Sequence, residues 1–256
     1  MSYYATVPLS WQTTIDRTSI AWDEYDDDIR NIVNQFNQHL RSTPEYHDLD
    51  WRLIKAMIWV ETGQHSSQWH FKPMQIGNNG DNGLKAVINI RKIKQKNGKN
   101  KIVSDGAELI IPPAFAQDLT YKNKAEIQKN PQLNIKAGIA YLLLRHAKFK
   151  YRTRLDVDQQ LYVVQVKRGD TLTQIAKDKL TTIGILQSLN RGVRTRYLQS
   201  GTWLIYRKAS IQRYICGWHS ITFASIAKRY NVKGDLYYAK KLQYIFQKFK
   251  YITYGG

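Results

Sequence analysis

A single glutamate closes an apolar run. In Leu53-Ile54-Lys55-Ala56-Met57-Ile58-Trp59-Val60-Glu61, the carboxylate of Glu61 follows Met57 by four residues and Ile58 by three, the steps that keep side chains on one helix face. A carboxyl group held against apolar side chains loses hydration when it ionises, so its pKa rises. Raised towards neutrality, it can give a proton to a leaving oxygen and take one back as general acid and base. The structural alternative is a helix-end glutamate paired with a surface lysine. Further on comes Pro73-Met74-Gln75-Ile76. Gln75 offers an amide to a ligand or to the glutamate's loop, while Met74 reads equally as cleft wall and as core. Asp81, in Gly80-Asp81-Asn82-Gly83, is the first carboxylate after Glu61 and the nearest candidate for a second, with Asp105 and Glu108 behind it. It reads as a turn residue too. Asn134 sits near the start of a helix, as a cap or a brace for the glutamate's loop. Tyr141, on that helix, is a candidate for the cleft or for the core. His65, His70 and His146 match no zinc spacing, and neither metal nor cofactor is expected.

The elements that must position these groups can be read from periodicity. Residues 1–19 are polar and rich in Ser and Thr, and read as a loosely held arm. Ile29, Ile32, Val33, Phe36 and Leu40 predict a helix from about Ile20, with the acidic run of residues 23–28 in its first turns, where negative charge suits the dipole. Asp50 is placed to cap the helix that ends at Glu61. Residues 77–106 read as loops around a short helix or strand, Pro112-Pro113 as a stop, and residues 134–149 as a strong helix. Beyond Tyr151 the pattern changes. A charged joint, 151–160, leads into a segment, 161–207, that alternates as a strand and breaks at Gly169-Asp170. It then runs as two short helices and returns as a strand, a βααβ unit. Residues 211–256 echo it: Ile226-Ala227-Lys228 repeats Ile175-Ala176-Lys177, and the strand before it repeats as well.

Residues 161–207 resemble a LysM module, on Tyr162, Val164, Val166, Gly169-Asp170-Thr171-Leu172, Ile175-Ala176, Leu189-Asn190 and Leu198 to Leu204. The resemblance implies binding of N-acetylglucosamine chains in a groove formed by Gly169, Asp170, Thr171 and Leu172 with Asn190 to Arg194. Asp170 and Thr171 also suit a helix cap. Residues 20–150 resemble the lytic transglycosylase branch of the lysozyme-like superfamily. Three motifs in order carry that likeness: Glu61-Thr62-Gly63, Pro73-Met74-Gln75-Ile76, and Asn134-Ile135 with Gly138 and Tyr141-Leu142. The expected fold is therefore α+β, predominantly α, with a lysozyme-like catalytic domain (20–150), a LysM module (161–207) and a degenerate LysM-like tail (211–256). The likeness implies that Glu61 cleaves the bond between N-acetylmuramic acid and N-acetylglucosamine. Met74, Gln75, Asp81, Asn134 and Tyr141 would then line or brace the substrate site. Ring closure onto the muramic 6-hydroxyl needs no second carboxylate, whereas hydrolysis would call on Asp81. The chain departs from the family where an Ala-Tyr-Asn motif is expected after Phe149.

Charge narrows the partners. Residues 1–50 carry nine acids against three arginines, net −6, and the remaining 206 carry +25 of the total +19. Such a surface favours a polyanion, and the anionic peptidoglycan mesh accounts for it. No helix-turn-helix or zinc motif accompanies the basic runs, and no nucleic acid is expected. No stretch reaches 18 apolar residues, so no membrane span is expected. No cleavable signal is read at the N-terminus. The expectation is synthesis in the cytoplasm and action in the cell wall after secretion or injection, as for a type VI effector, with a loader and a cognate immunity protein as partners. A phage tail or lysis component and a non-catalytic wall-binding protein are the alternatives.

Overall fold

The computed structural model describes residues 7–17, 20–63, 65–78, 81–88, 91–94, 100–103, 105–194, 198–231 and 234–252. Two compact units emerge, one made of residues 1–148 with 215–256, the other of residues 149–214.

Of the arm expected over residues 1–19, residues 1–6, 18 and 19 lie outside the described residues, and residues 9–16 form a helix, α1 (Leu9–Asp16). Ile15 is buried in the core, and the helix is tied down by residues far along the chain. Tyr244 donates to Asp16 at 2.8 Å, Lys248 pairs with the same carboxylate, and the Trp11 ring meets Tyr244 edge-on at 6.0 Å. A 3-10 turn leads to α2 (Asp26–Leu40), which begins with three aspartates in its first turn and buries Ile29, Ile32, Val33, Phe36 and Leu40. The acidic run has a second use: Asp23 and Asp26 both hold the ammonium of Lys55, which is buried inside α3 (Trp51–Glu61). A buried ammonium needs such partners. Asp50 caps α3 by accepting from the Arg52 amide at 2.9 Å.

Next come α4 (Asn82–Val87) and a hairpin of β1 (Arg91–Lys94) and β2 (Asn100–Val103), paired antiparallel with Arg91 opposite Val103. Two short helices follow, α5 (Ala107–Ile110) and α6 (Lys124–Ile127). The predicted long helix is α7 (Pro131–His146), and it starts three residues earlier than Asn134. Its cap is Asn130, whose side chain accepts from Leu133 N at 3.0 Å; Asn134 lies inside the helix and is fully buried. α7 packs against α2, α4, α5 and α6, which makes it the centre of the unit.

The expected linker of 151–160 is half strand. β3 (Ala147–Leu155) runs straight out of α7. The second unit then contains β4 (Tyr162–Gln165), α8 (Leu172–Asp178), α9 (Ile183–Leu189) and β5 (Trp203–Tyr206). β4 and β5 pair antiparallel, with Val164 opposite Leu204. Val166, Leu172, Ile175, Leu186 and Leu204 form its core.

The tail departs most from expectation. β6 (Ala209–Trp218) pairs with β3 in a two-stranded ribbon, and α10 (Phe223–Arg229) and α11 (Tyr238–Ile252) follow. α11 packs on α3 and α10, and α10 on α7, so residues 215–256 belong to the first unit and do not form a second βααβ copy. The echo in sequence is local. Both α8 and α10 are seven-residue helices capped by a threonine, Thr171 and Thr222, after a strand. What differs is the surface each helix covers, which local sequence does not encode.

Candidate functional site

Glu61 is the last residue of α3, where the buried stripe meets a loop. Burial raises its carboxyl pKa to about 7, a hydrogen bond from Tyr238 opposes the rise, and the negative charges of Asp81 and Asp235 add to it. Tyr238 donates its hydroxyl to Glu61 Oε1 at 2.7 Å and is itself buried at the start of α11. Thr62, the next residue, donates its hydroxyl to the carbonyls of Ile58 and Pro73, at 3.1 and 3.0 Å. The glutamate turn is thereby tied to the 73–77 loop.

That loop is held from three sides. Asn134 accepts from Met74 N at 3.0 Å and donates to the carbonyls of Ile76 and Ile127, at 2.9 and 3.1 Å. Its bracing role is therefore structural, with no atom of the amide facing solvent. Tyr230 donates to Met74 O at 3.0 Å. Met74 is buried and packs on α7 at Gly138, where an added Cβ would lie 2.6 Å from Met74 Cβ. Met74 is core. Gln75 takes a left-handed backbone (φ 51°), and its amide is engaged nearby, donating to Lys72 O at 3.0 Å and accepting from Asn78 at 3.1 Å. Asp81 caps α4: it accepts from Gly83 N at 2.6 Å, Gly77 N at 2.5 Å and Leu84 N at 3.4 Å. Its carboxylate is committed to backbone amides and reaches Glu61 through its charge. Tyr141 is half-buried, with its ring 5.4 Å from Tyr230. Burial pushes its hydroxyl pKa up, and that hydroxyl makes no hydrogen bond among the described residues.

Glu61, Tyr238, Tyr230, Tyr141 and Asp81 thus form one electrostatic cluster. Tyr230, raised well above the usual tyrosine range by burial, feels Glu61, Asp81 and Tyr141 in turn. A cleft of about 740 Å³ in the same unit lies elsewhere, beside Tyr46, Asp50, Leu53, Trp218 and Phe246. It meets α3 at the end opposite Glu61, and no residue expected at the site lines it.

In the second unit, Gly169 (φ +89°) makes the turn out of β4, a backbone conformation that costs glycine little. Asp170 closes the turn by accepting from Lys167 N at 2.8 Å, and Thr171 caps α8 by accepting from Gln174 N at 3.1 Å. A family model, the LysM domain, matches residues 164–205. This segment is a LysM domain. It indicates peptidoglycan binding. Comparison of the chain with curated proteins and with solved structures finds no match.

Of the residues expected in the LysM groove, Leu172 is fully buried in the domain's core, so its side chain is structural. Asn190 is a staple: it donates to the carbonyls of Leu186 and Ile205, both at 2.7 Å, and accepts from Ile205 N at 2.8 Å. Of the remaining groove residues, Gly169 and Thr171 are exposed, as are Arg191, Gly192 and Arg194 after α9.

Tyr230, Asp235 and Tyr238 are absent from the sequence reading. They lie some 170 residues from Glu61, beyond the LysM domain. Two residues of the Ala-Tyr-Asn motif expected after Phe149 occur at Tyr230-Asn231, beyond the LysM domain, with Arg229 in place of the alanine.

Proposed function

We propose that the chain binds peptidoglycan through its LysM domain and cleaves the glycan strand with Glu61 as proton donor. The observation that carries the reading is Glu61 itself, with a pKa of about 7 at the end of a buried helix and a tyrosine hydroxyl on Oε1. At neutral pH such a group is near half protonation, the poise a general acid needs. Protonated Glu61 gives its proton to the glycosidic oxygen as the bond to the muramic carbon breaks. The resulting carboxylate, steadied by Tyr238, takes a proton from the incoming hydroxyl. Asp81 is bound by three backbone amides, which favours attack by the sugar's own 6-hydroxyl over water activated by a second carboxylate. Tyr141, whose hydroxyl makes no hydrogen bond among the described residues, is the group this reading assigns to the sugar. Delivery as an antibacterial effector, with an immunity protein covering Glu61, is the wider form of the same proposal.

The test is digestion of purified murein by wild type and Glu61→Gln, followed by mass spectrometry of the soluble fraction. Fragments about 18 Da lighter than hydrolysed muropeptides, absent with the variant, are expected. Full-mass reducing ends would replace ring closure by hydrolysis. Binding without release by either protein would leave a wall-binding protein.

A further inference from the structure

The β3–β6 ribbon carries a second pattern, independent of Glu61. Lys150, Arg152 and Arg154 occupy every second position of β3. Alternate residues of a strand share a face and stand about 6.7 Å apart, so these three cations form a line about 13 Å long. All three are exposed, and none has an ion-pair partner among the described residues. The Arg152 guanidinium rests over the Tyr214 ring at 5.0 Å. Lys148 continues the alternation, but its ammonium is paired with Glu45 at 3.9 Å. The intervening residues of β3 have their own partner. Arg213 donates to the Tyr151 hydroxyl at 2.7 Å and lies 5.7 and 5.3 Å from the Phe149 and Tyr151 rings. Neither strand contains an Asp or Glu, and residues 149–214 hold thirteen lysines and arginines against four aspartates, net +9.

We propose that the Lys150–Arg152–Arg154 face binds a linear phosphodiester polymer of the cell wall. An evenly spaced row of cations suits a string of anionic groups better than a single anion. The LysM domain of the same unit brings the chain to the wall where such polymers are held. Single-stranded nucleic acid is the poorer match, because base stacking needs free aromatic faces beside the cations; Phe149 and Tyr151 alternate to the other face of β3, and the Tyr214 ring lies under the Arg152 guanidinium. A bilayer is poorer still, since interfacial binding needs apolar side chains beside the cations, and β3 offers none on this face.

The test uses the full chain, poly(glycerol phosphate) as the probe, and affinity measured between 50 and 200 mM salt. Three phosphate contacts predict a fall of about twenty-fold across that range. Replacing Lys150→Ser, Arg152→Ser and Arg154→Ser together should abolish most of the binding and flatten the salt dependence, while N-acetylglucosamine oligomers bind as before. The charge-preserving set Lys150→Arg, Arg152→Lys and Arg154→Lys should retain polymer binding. The proposal is overturned if the serine variant binds the polymer as wild type does, if the charge-preserving variant loses it, or if an oligonucleotide or anionic vesicle binds more tightly.

Discussion

Glu61 is a residue held in a place that does not suit its ionised form, and two predictions follow from that cost. Its folded pKa of about 7 lies above the ordinary carboxyl value of 4.5. The sign is that of a raised acid: stability is fully present below about pH 4.5 and is lost as pH rises towards 7. Glu61→Gln removes the charge that burial opposes. The variant should match wild type in urea unfolding at pH 4 and exceed it at pH 8, by up to about 3 kcal/mol from the size of the shift. An equal difference at both pH values would show that the carboxylate is not desolvated. Tyr238 acts in the opposite direction, since its hydrogen bond favours the ionised form. Tyr238→Phe should therefore move the Glu61 titration to higher pH, read by carboxylate infrared difference spectra against Glu61→Gln. Sequence alone exposes the first half of this arrangement. The glutamate's place on the stripe is a matter of three- and four-residue spacing. The hydroxyl that meets it comes from Tyr238, 177 residues away, and has no local signature.

At the scale of elements, α3, α7 and the 73–77 loop form the frame, and α11 closes it. Gly138 is where the frame is tightest, because a methyl group there would fall within 2.6–2.8 Å of Met74 Cβ, Cγ and Cε. Met74 is confined by the core around it, so Gly138→Ala should cost about 1–3 kcal/mol in denaturant unfolding through overpacking. Wild-type stability in this variant would mean that the loop is not seated on α7. Helices α2, α3 and α7 were legible because each carries an apolar face over three or four turns. α1 was missed because Leu9–Asp16 has only a weak apolar bias, and its order comes from Tyr244 and Lys248 of α11. The groove residues divide for a similar reason. The turn at Gly169 and the cap at Thr171 are local chemistry and could be read. The inward facing of Leu172 and the stapling by Asn190 depend on the partners that folding supplies.

At the scale of the molecule, the chain leaves the first unit after α7, builds the LysM domain, and returns through β6 to complete the first unit. No helix among the described residues is long and apolar enough to cross a membrane. The interrupted order explains why the tail resembles a repeat: its strand, threonine cap and short helix echo the LysM domain locally, while α10 and α11 pack on α7 and α3, far upstream in the chain. It also predicts an asymmetry between two deletions. Joining residues 148 and 215 by a short turn should leave a cooperatively folding unit that still holds the raised Glu61 pKa. Ending the chain at residue 208 removes Tyr230 and Tyr238 and should abolish that folding, as followed by circular dichroism during thermal melting. If the truncated chain melts as cooperatively as the spliced one, the tail is not part of the first unit.

The pH dependence of fragment release from purified murein tests Glu61 as the proton donor most directly. With wild type, release should fall as pH rises through about 7, following the deprotonation of Glu61. With Glu61→Gln it should be absent at every pH while binding to murein persists. Release that survives in the variant, or no release by wild type at any pH, would contradict the assignment of Glu61 as the proton donor.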